Sequence, residues 1–137
     1  MEPGMHLVIN EISTSAPYSV VFIFDSLFRG KVTTSKGESI AATGDWIAVG
    51  TLMEFDGNTR FVFMHNESTE SISVECVRRY AGTLASPSRR ICVQDAECKE
   101  LHSFCVKNDN AWIEIWSNDL SEPDVVYISV RDVDGVK

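Results

Sequence analysis

The sequence contains no apolar run long enough to cross a membrane as a helix. The longest uninterrupted run, Val20 to Phe24, has five residues, whereas a transmembrane helix needs about 20. The first residues, from Met1 to His6, also lack the basic segment followed by an apolar one that marks a secretory leader. We therefore expect a protein that does not partner a membrane and that resides in the cytoplasm or the nucleus.

The sequence also lacks the short motifs that accompany common reaction centres. It has no Gly-x-Ser-x-Gly turn, His-Glu-x-x-His pair, phosphate-binding loop or dinucleotide fingerprint. The remaining acid–base candidates are His65 with Glu67, and Asp45 near Glu54 and Asp56. His65 ends a predicted strand and Asp45 lies in a predicted turn, where polar residues are expected anyway. We therefore predict no catalytic residue, no enzyme activity and no cofactor.

Basic residues are scarce, since 12 lysines and arginines stand against 20 acidic residues and the formal net charge is −8. This charge opposes general affinity for nucleic-acid backbones, which depends on lysine and arginine displacing counterions. Four basic residues nevertheless fall close together in the sequence: Arg78, Arg79, Arg89 and Arg90. They predict either a local basic patch on an acidic body or scatter over solvated loops.

The four cysteines include no pair at the tight Cys-x2-Cys or Cys-x4-Cys spacing of structural zinc sites. Four residues that zinc can accept do lie near one another, namely Cys92, Cys98, His102 and Cys105. An intracellular cysteine is, however, often a small buried apolar residue. We therefore predict no metal, and these four residues are the zinc ligands of the alternative hypothesis.

The chain does contain many short runs in which apolar and polar residues alternate. A period of two sends successive side chains to opposite faces of a strand. Turn residues separate the predicted strands, which are His6–Ile12, Ser19–Asp25, Arg29–Thr34, Trp46–Phe55, Arg60–His65, Ser71–Val77, Arg90–Gln94, Ser103–Lys107, Ala111–Trp116 and Val125–Arg131. The pattern predicts an all-β single domain over residues 1–137, either a barrel or a sandwich.

Three connections carry their own predictions. Phe55 to Thr59 contains Asp-Gly-Asn, which favours a tight hairpin turn. Gln94 to His102 is rich in helix-forming residues and is the predicted short helix. Tyr80 to Arg90 is the most linker-like segment, so we interpret it as a long loop or as a seam between two halves.

One segment favours a small barrel. Phe28-Arg-Gly-Lys-Val32, Ile40 and Gly44-Asp45-Trp46-Ile47-Ala48-Val49 resemble the opening of five-stranded oligonucleotide/oligosaccharide-binding barrels. In those barrels a Gly-x-Val strand and a later Gly-Asp-x-Val-x-Val strand are common. The resemblance covers about a quarter of the chain and implies an OB-like barrel.

The aromatic residues near the C-terminus suggest a binding face. If Ala111–Trp116 and Val125–Arg131 form a hairpin that pairs Ile113 and Ile115 with Ile128 and Val126, one face is apolar. The other face then carries Trp112, Glu114, Trp116, Val125 and Tyr127. Such a face is either buried in the centre of the protein or exposed as a binding site for a peptide or for bases.

We therefore predict a non-catalytic interaction module, an adaptor or an assembly subunit. It binds another protein through a sheet edge or through the face of Trp112, Trp116 and Tyr127. Single-stranded nucleic acid, RNA included, is the alternative partner. It would stack on these aromatic residues and contact Arg78, Arg79, Arg89 and Arg90. A small zinc-containing protein or enzyme is the third hypothesis.

Overall fold

The computed structural model describes residues 10–32, 40–51, 56–120 and 123–133. Regular structure in these ranges is β-strand, apart from short 3₁₀ turns such as Pro17–Ser19 and Thr69–Ser71. The strands are β1 (Asn10–Thr14), β2 (Val20–Asp25), β3 (Ile40–Ala42), β4 (Trp46–Gly50), β5 (Thr59–His65), β6 (Val77–Ala85), β7 (Arg90–Asp95), β8 (Glu100–Cys105), β9 (Asn110–Ser117) and β10 (Val125–Asp132). The prediction of an all-β fold is confirmed.

The strands form two five-stranded sheets. Sheet A has the order β1-β5-β10-β9-β6, and sheet B has the order β3-β4-β2-β7-β8. Neighbouring strands are antiparallel, except that β5 and β10 run parallel. Residues of both sheets contribute to one buried apolar cluster, so the sheets are packed face to face. Of the two predicted architectures, the structure is the sandwich.

The core between the sheets is built from every second residue of the central strands. Sheet A contributes Phe61, Ile113 and Ile128, and sheet B contributes Ile23 and Ile91; each has an exposed fraction of 0%. Burying such a side chain contributes about 1.5–3 kcal/mol. Because the period is two, this burial also determines which residues of each strand face outward.

Several connections meet at one end of the sandwich, which we call the Asp25 end. Strands β2, β6 and β8 end there, and β4, β7 and β9 begin there. Residues 26–32, 43–45, 86–89 and 106–109 make the connections. A hydrogen bond of 2.8 Å from Ala85 N to Gly44 O ties β6 of sheet A to the loop before β4 of sheet B.

Residues 66–76, which we call the crossing segment, run over the outer face of sheet A. They connect the end of β5 to the start of β6, which lies at the other edge of the sheet and at its opposite end. Ile72 and Cys76 are buried against outward-facing residues of the sheet, namely Val62, Met64 and Tyr127. The crossing segment therefore covers part of this face.

The predicted strand Ser71–Val77 is wrong. Ile72 and Cys76 are buried as expected, but Val74 is 101% exposed, because the segment lies across the sheet and does not pair within it. The predicted loop from Tyr80 to Arg90 is also largely wrong. Strand β6 continues to Ala85, and only residues 86–89 form a turn to β7.

The predicted helix Gln94–His102 is wrong, because β7 continues to Asp95, β8 begins at Glu100, and residues 96–99 form a tight turn between them. The Asp95 carboxylate accepts hydrogen bonds from the backbone N–H groups of Glu97 (2.9 Å) and Lys99 (3.0 Å). Cys98 has a φ of 68°, which a helix does not contain. A short side chain that satisfies nearby backbone groups in this way competes with helix formation.

Two further turn predictions need correction. Residues 56–58 precede β5, which lies in sheet A between β1 and β10, whereas β4 lies in sheet B, so β4 and β5 do not form a hairpin, although Gly57 has the expected positive φ of 128°. Residues 29–32 are not a strand, so this part of the segment that resembles the barrel opening does not follow that pattern, whereas Gly44-Asp45 is followed by strand β4 as the pattern predicts. Predicted strand residues 6–9, 33–34 and 52–55 lie outside the described residues.

Candidate protein-interaction surface

Strand β9 presents two tryptophans on the outer face of sheet A. Trp112, Glu114 and Trp116 alternate with the core residues Ile113 and Ile115, as the period of two predicts. Both tryptophans are half-buried. The cross-strand neighbours of Trp116 are Arg78 and Tyr127, and those of Trp112 are Thr83 and Arg131. We call Trp112, Glu114, Trp116, Arg78 and Arg131 the tryptophan face.

A buried carboxylate holds the two indoles in place. Glu114 is 7% exposed, and its two oxygens accept hydrogen bonds of 2.9 Å from the Nε1 atoms of Trp112 and Trp116. Arg78 adds an ion pair, with its Nη1 atom 3.8 Å from Glu114 Oε2. A buried charge is tolerated when it is hydrogen-bonded and paired in this way. The motif Trp-x-Glu-x-Trp is the sequence signal, and its hydrogen bonding was not predicted.

The hairpin of β9 and β10 has the predicted faces but a different register. Ile128 pairs with Ile115, and Val130 pairs with Ile113, so the predicted pairing of Ile113 and Ile115 is wrong by two residues. A shift of two leaves every side chain on its predicted face. Trp112, Glu114, Trp116 and Tyr127 therefore share the outer face of sheet A.

Tyr127 belongs to this face but is not accessible there. It is 8% exposed because it packs under the crossing segment with Ile72 and Cys76. Burial also raises the pKa of the Cys76 thiol, so this residue remains a neutral apolar contact. Tyr127 therefore supports Trp116 from the side and offers no contact surface of its own.

The four arginines do not form one basic patch. Arg78 lies on the tryptophan face, but a bulge in β6 turns Arg79 away, and its Nε donates to Ser117 Oγ at 3.0 Å. Arg89 lies in the turn at the other end of β6 and donates to the backbone oxygens of Lys107 and Pro87. Arg90 lies on sheet B and makes two hydrogen bonds of 2.9 Å with Glu100. The predicted arginine set is therefore spread over both sheets.

The four zinc-ligand candidates are also separated. His102 points into the core and stacks on Phe63 at 4.4 Å, whereas Cys92 and Cys105 lie on the outer face of sheet B and Cys98 in the β7–β8 turn. Burial lowers the pKa of His102, and burial raises the pKa of Cys92 to about 11. Within the ranges the structure describes, no group of three potential ligands is close enough to hold a metal ion.

Within the described residues, no ion pair joins the acid–base candidates His65 and Glu67. His65 is exposed at the end of β5, where its ring contacts Phe104 edge-on at 5.9 Å. Asp45 is exposed in the turn before β4, where its backbone N–H donates to the Thr43 hydroxyl at 3.0 Å. Glu54, the predicted neighbour of Asp45, lies outside the described residues.

No helix in the described ranges is long and apolar enough to span a bilayer.

The sheet edges are β1 and β6 in sheet A, and β3 and β8 in sheet B. β3 has only three residues, and the registers of β6 and β8 each contain an irregularity. Short length and bulges discourage pairing with another chain. The stretch from Tyr80 to Ala85 is regular and uncharged. This stretch, beyond the irregularity at Arg78 and Tyr80, therefore fits the predicted strand-addition mode.

No family model and no curated protein match the chain. Its fold is similar to that of ComJ from Bacillus subtilis, an inhibitor of the DNA-degrading activity of NucA. The TM-score is 0.64 and the identity 17%, over 93% of this chain and 96% of ComJ. It is also similar to the protein of crocagin biosynthetic gene J, with a TM-score of 0.52 and 8% identity, over 90% and 95% of the two chains. At these identities the likeness concerns the fold alone.

Proposed function

We propose that this protein is a non-catalytic binding module that inhibits a nuclease by occupying the basic surface where the enzyme binds nucleic acid. The observation that carries the proposal is the tryptophan face, where Glu114 holds two half-buried indoles beside Arg78. The fold is similar to that of ComJ, which inhibits a DNA-degrading activity. The net charge of −8 is opposite in sign to the basic surface of a nuclease and therefore favours association with it.

The tryptophan face has the chemistry of an interface centre. Tryptophan, tyrosine and arginine dominate the residues that contribute most to protein–protein affinity. Trp112 and Trp116 lie in fixed orientations because both indole N–H groups are already bound to Glu114. These two side chains therefore lose little conformational entropy when a partner packs against them, which favours affinity.

Acidic residues border this face on the side of the crossing segment. The segment contains Glu67, Glu70 and Glu75 and no lysine or arginine. Glu70 and Glu75 are exposed. A nuclease binds phosphates with lysine and arginine, so an acidic surface attracts its cleft and competes with its substrate. The expected inhibitor thus combines aromatic contacts with electrostatic attraction.

The alternative, binding of single-stranded nucleic acid, has weaker support. It requires the aromatic residues and the arginines to line one path, whereas Arg79, Arg89 and Arg90 lie elsewhere and bind protein groups. Among the cross-strand neighbours of the tryptophans in the described strands, the cations are Arg78 and Arg131. Two cations on a body of charge −8 supply little phosphate affinity.

The proposal is tested with an extract of the source organism. Immobilised protein should retain a partner at one-to-one stoichiometry, and the eluted partner should degrade DNA unless this protein is added back. Changing Glu75→Gln should slow association and weaken its dependence on salt, because exposed charges near an interface act mainly on the association rate. Glu97→Gln removes the same charge from the β7–β8 turn and should have no effect.

The outcomes distinguish the nuclease-inhibitor assignment from the more general binding module. A retained partner without nuclease activity removes the inhibitor assignment and leaves the binding module. The absence of any stoichiometric protein partner contradicts the binding module itself. If no protein partner is retained but a mixed oligonucleotide binds with an affinity that falls steeply as the salt concentration rises, the nucleic-acid alternative is favoured.

A further inference from the structure

A groove opens at the Asp25 end of the sandwich. It is lined by Asp25, Leu27, Phe28, Asp45, Ala85 and Pro87, and it encloses about 280 Å³ of empty space, part of which is open solvent. The lining residues come from three separate segments: the loop after β2, the turn before β4, and the end of β6 with the turn that follows it. No local sequence signal marks the groove, because only the packing of the two sheets brings these segments together.

The groove is held by hydrogen bonds that centre on Asp25. This carboxylate is 3% exposed and accepts bonds from Leu27 N (2.9 Å), Ser88 N (3.0 Å) and Ser88 Oγ (2.8 Å). The bond from Ala85 N to Gly44 O fixes the third segment. The walls are therefore set in place before any ligand arrives, which lowers the entropic cost of binding.

The lining combines apolar walls with two carboxylates. Leu27, Phe28, Ala85 and Pro87 supply the apolar surface, and Leu27 is 59% exposed although it is a large aliphatic residue. In the described part of the chain, neither Asp25 nor Asp45 makes a salt bridge. The nearby Arg29 does not line the groove, since its Nη1 atom donates to the backbone oxygens of Ser26 and Phe28.

We propose that this groove binds a lysine or arginine side chain of the protein partner. Both side chains have an aliphatic stem that packs on apolar surface and a cationic head that seeks a carboxylate. The stem would lie against Leu27, Phe28 and Pro87, and the head would reach the exposed carboxylate of Asp45. The inference deepens the proposed function and rests on it, because a basic enzyme supplies such side chains.

The groove and the tryptophan face are connected through β6. Thr83 of β6 is the cross-strand neighbour of Trp112, and Ala85, two residues further on, lines the groove. A single partner that packs on Trp112 at this end of the sheet can therefore also insert a side chain into the groove. The groove would then add specificity for a basic residue at one position of the partner.

The chemistry of the groove is tested with a small probe. N-acetyl-arginine methylamide is titrated into the labelled protein while amide shifts are followed by NMR, and the citrulline analogue serves as the uncharged control. Shifts should concentrate at residues 25–28, 44–46 and 85–88. Asp45→Asn should weaken binding about two- to fivefold, the range expected for one exposed ion pair. Asp56→Asn, the same exposed charge change outside the groove, should not.

The partner provides the second arm of the test. Leu27→Arg places a cation in the groove and should lower the affinity of the retained partner, whereas Leu120→Arg should not. These leucines are equally exposed, at 59% and 58%, but Leu120 lies away from the groove. Equal binding of the arginine and citrulline probes, or a partner unaffected by Leu27→Arg, overturns the inference. Arginine-specific binding without any nuclease partner would instead contradict only the proposed function.

Discussion

The hydrogen bonds that join Glu114 to Trp112 and Trp116 allow a quantitative prediction. Glu114→Gln conserves shape but replaces one acceptor oxygen by an NH₂ group. One indole then keeps its bond, now to a neutral oxygen, while the other indole N–H faces a second donor. The ion pair with Arg78 is lost as well.

The expected cost follows from these contacts. A hydrogen bond to a charged group contributes about 1.5–3 kcal/mol, and one such bond is lost while the other is weakened. The half-buried indole released by the substitution can reach water, which offsets part of the loss. The Arg78 pair contributes little, since the Arg78 side chain is 53% exposed. We expect the free energy of unfolding to fall by about 1–3 kcal/mol and Tm to fall by about 3–12 °C.

Urea unfolding followed by circular dichroism measures this change, with Glu97→Gln as the control for loss of one negative charge. The control should remain within about 0.5 kcal/mol of the unmodified protein, because surface substitutions usually do. Tryptophan fluorescence of the folded state should also shift in Glu114→Gln and not in the control. A Glu114→Gln variant as stable as the control would refute the account of the tryptophan face.

Three further predictions concern buried groups. Because burial lowers the pKa of His102, the unfolded state binds a proton at this residue more readily than the folded state. The free energy of unfolding should therefore fall as the pH drops below about 6.5, by at most about 1.4 kcal/mol per pH unit. His102→Phe should lack this pH dependence, and equal pH profiles of the two proteins would contradict the prediction. Ser129 is 0% exposed, and its hydroxyl has no hydrogen-bond partner within the described residues. Ser129→Ala should therefore raise the free energy of unfolding in a urea titration by up to about 1 kcal/mol, and a lower free energy of unfolding would contradict the absence of a partner. Burial raises the pKa of Cys92 to about 11. Cys92 should therefore react far more slowly with a disulfide reagent at pH 8 than the exposed Cys98. Peptide mass spectrometry measures both rates, and equal rates would contradict the burial of Cys92.

The sequence predicted the parts of the fold that depend on local alternation. The central strands β2, β5, β7, β9 and β10 were predicted within one or two residues, because their core residues recur with a period of two. The outward position of Trp112, Glu114 and Trp116 followed from the same period. It did not depend on the register, which differs from the predicted one by two residues.

The errors arose where contacts distant in sequence decide the structure. The alternation of Ile72, Val74 and Cys76 looks like a strand, but the chain must travel from β5 to the far edge of the sheet, and Val74 faces solvent. The helix-forming residues after Gln94 yield to the turn that the Asp95 side chain closes. Separation of the arginines and formation of the groove depend on the strand order, which local patterns do not encode.

The central claim is that the tryptophan face carries partner binding, and a matched pair of substitutions tests it. Trp116→Ala and Phe22→Ala each remove a half-buried aromatic side chain from an outer sheet face, one on sheet A and the other on sheet B. Calorimetric titration with the retained partner should show a loss of affinity of at least about tenfold for Trp116→Ala, as expected of an interface centre. Phe22→Ala, which lies outside the groove, should bind like the unmodified protein. Undiminished binding by a folded Trp116→Ala variant, or an equal loss in both variants, would contradict the claim.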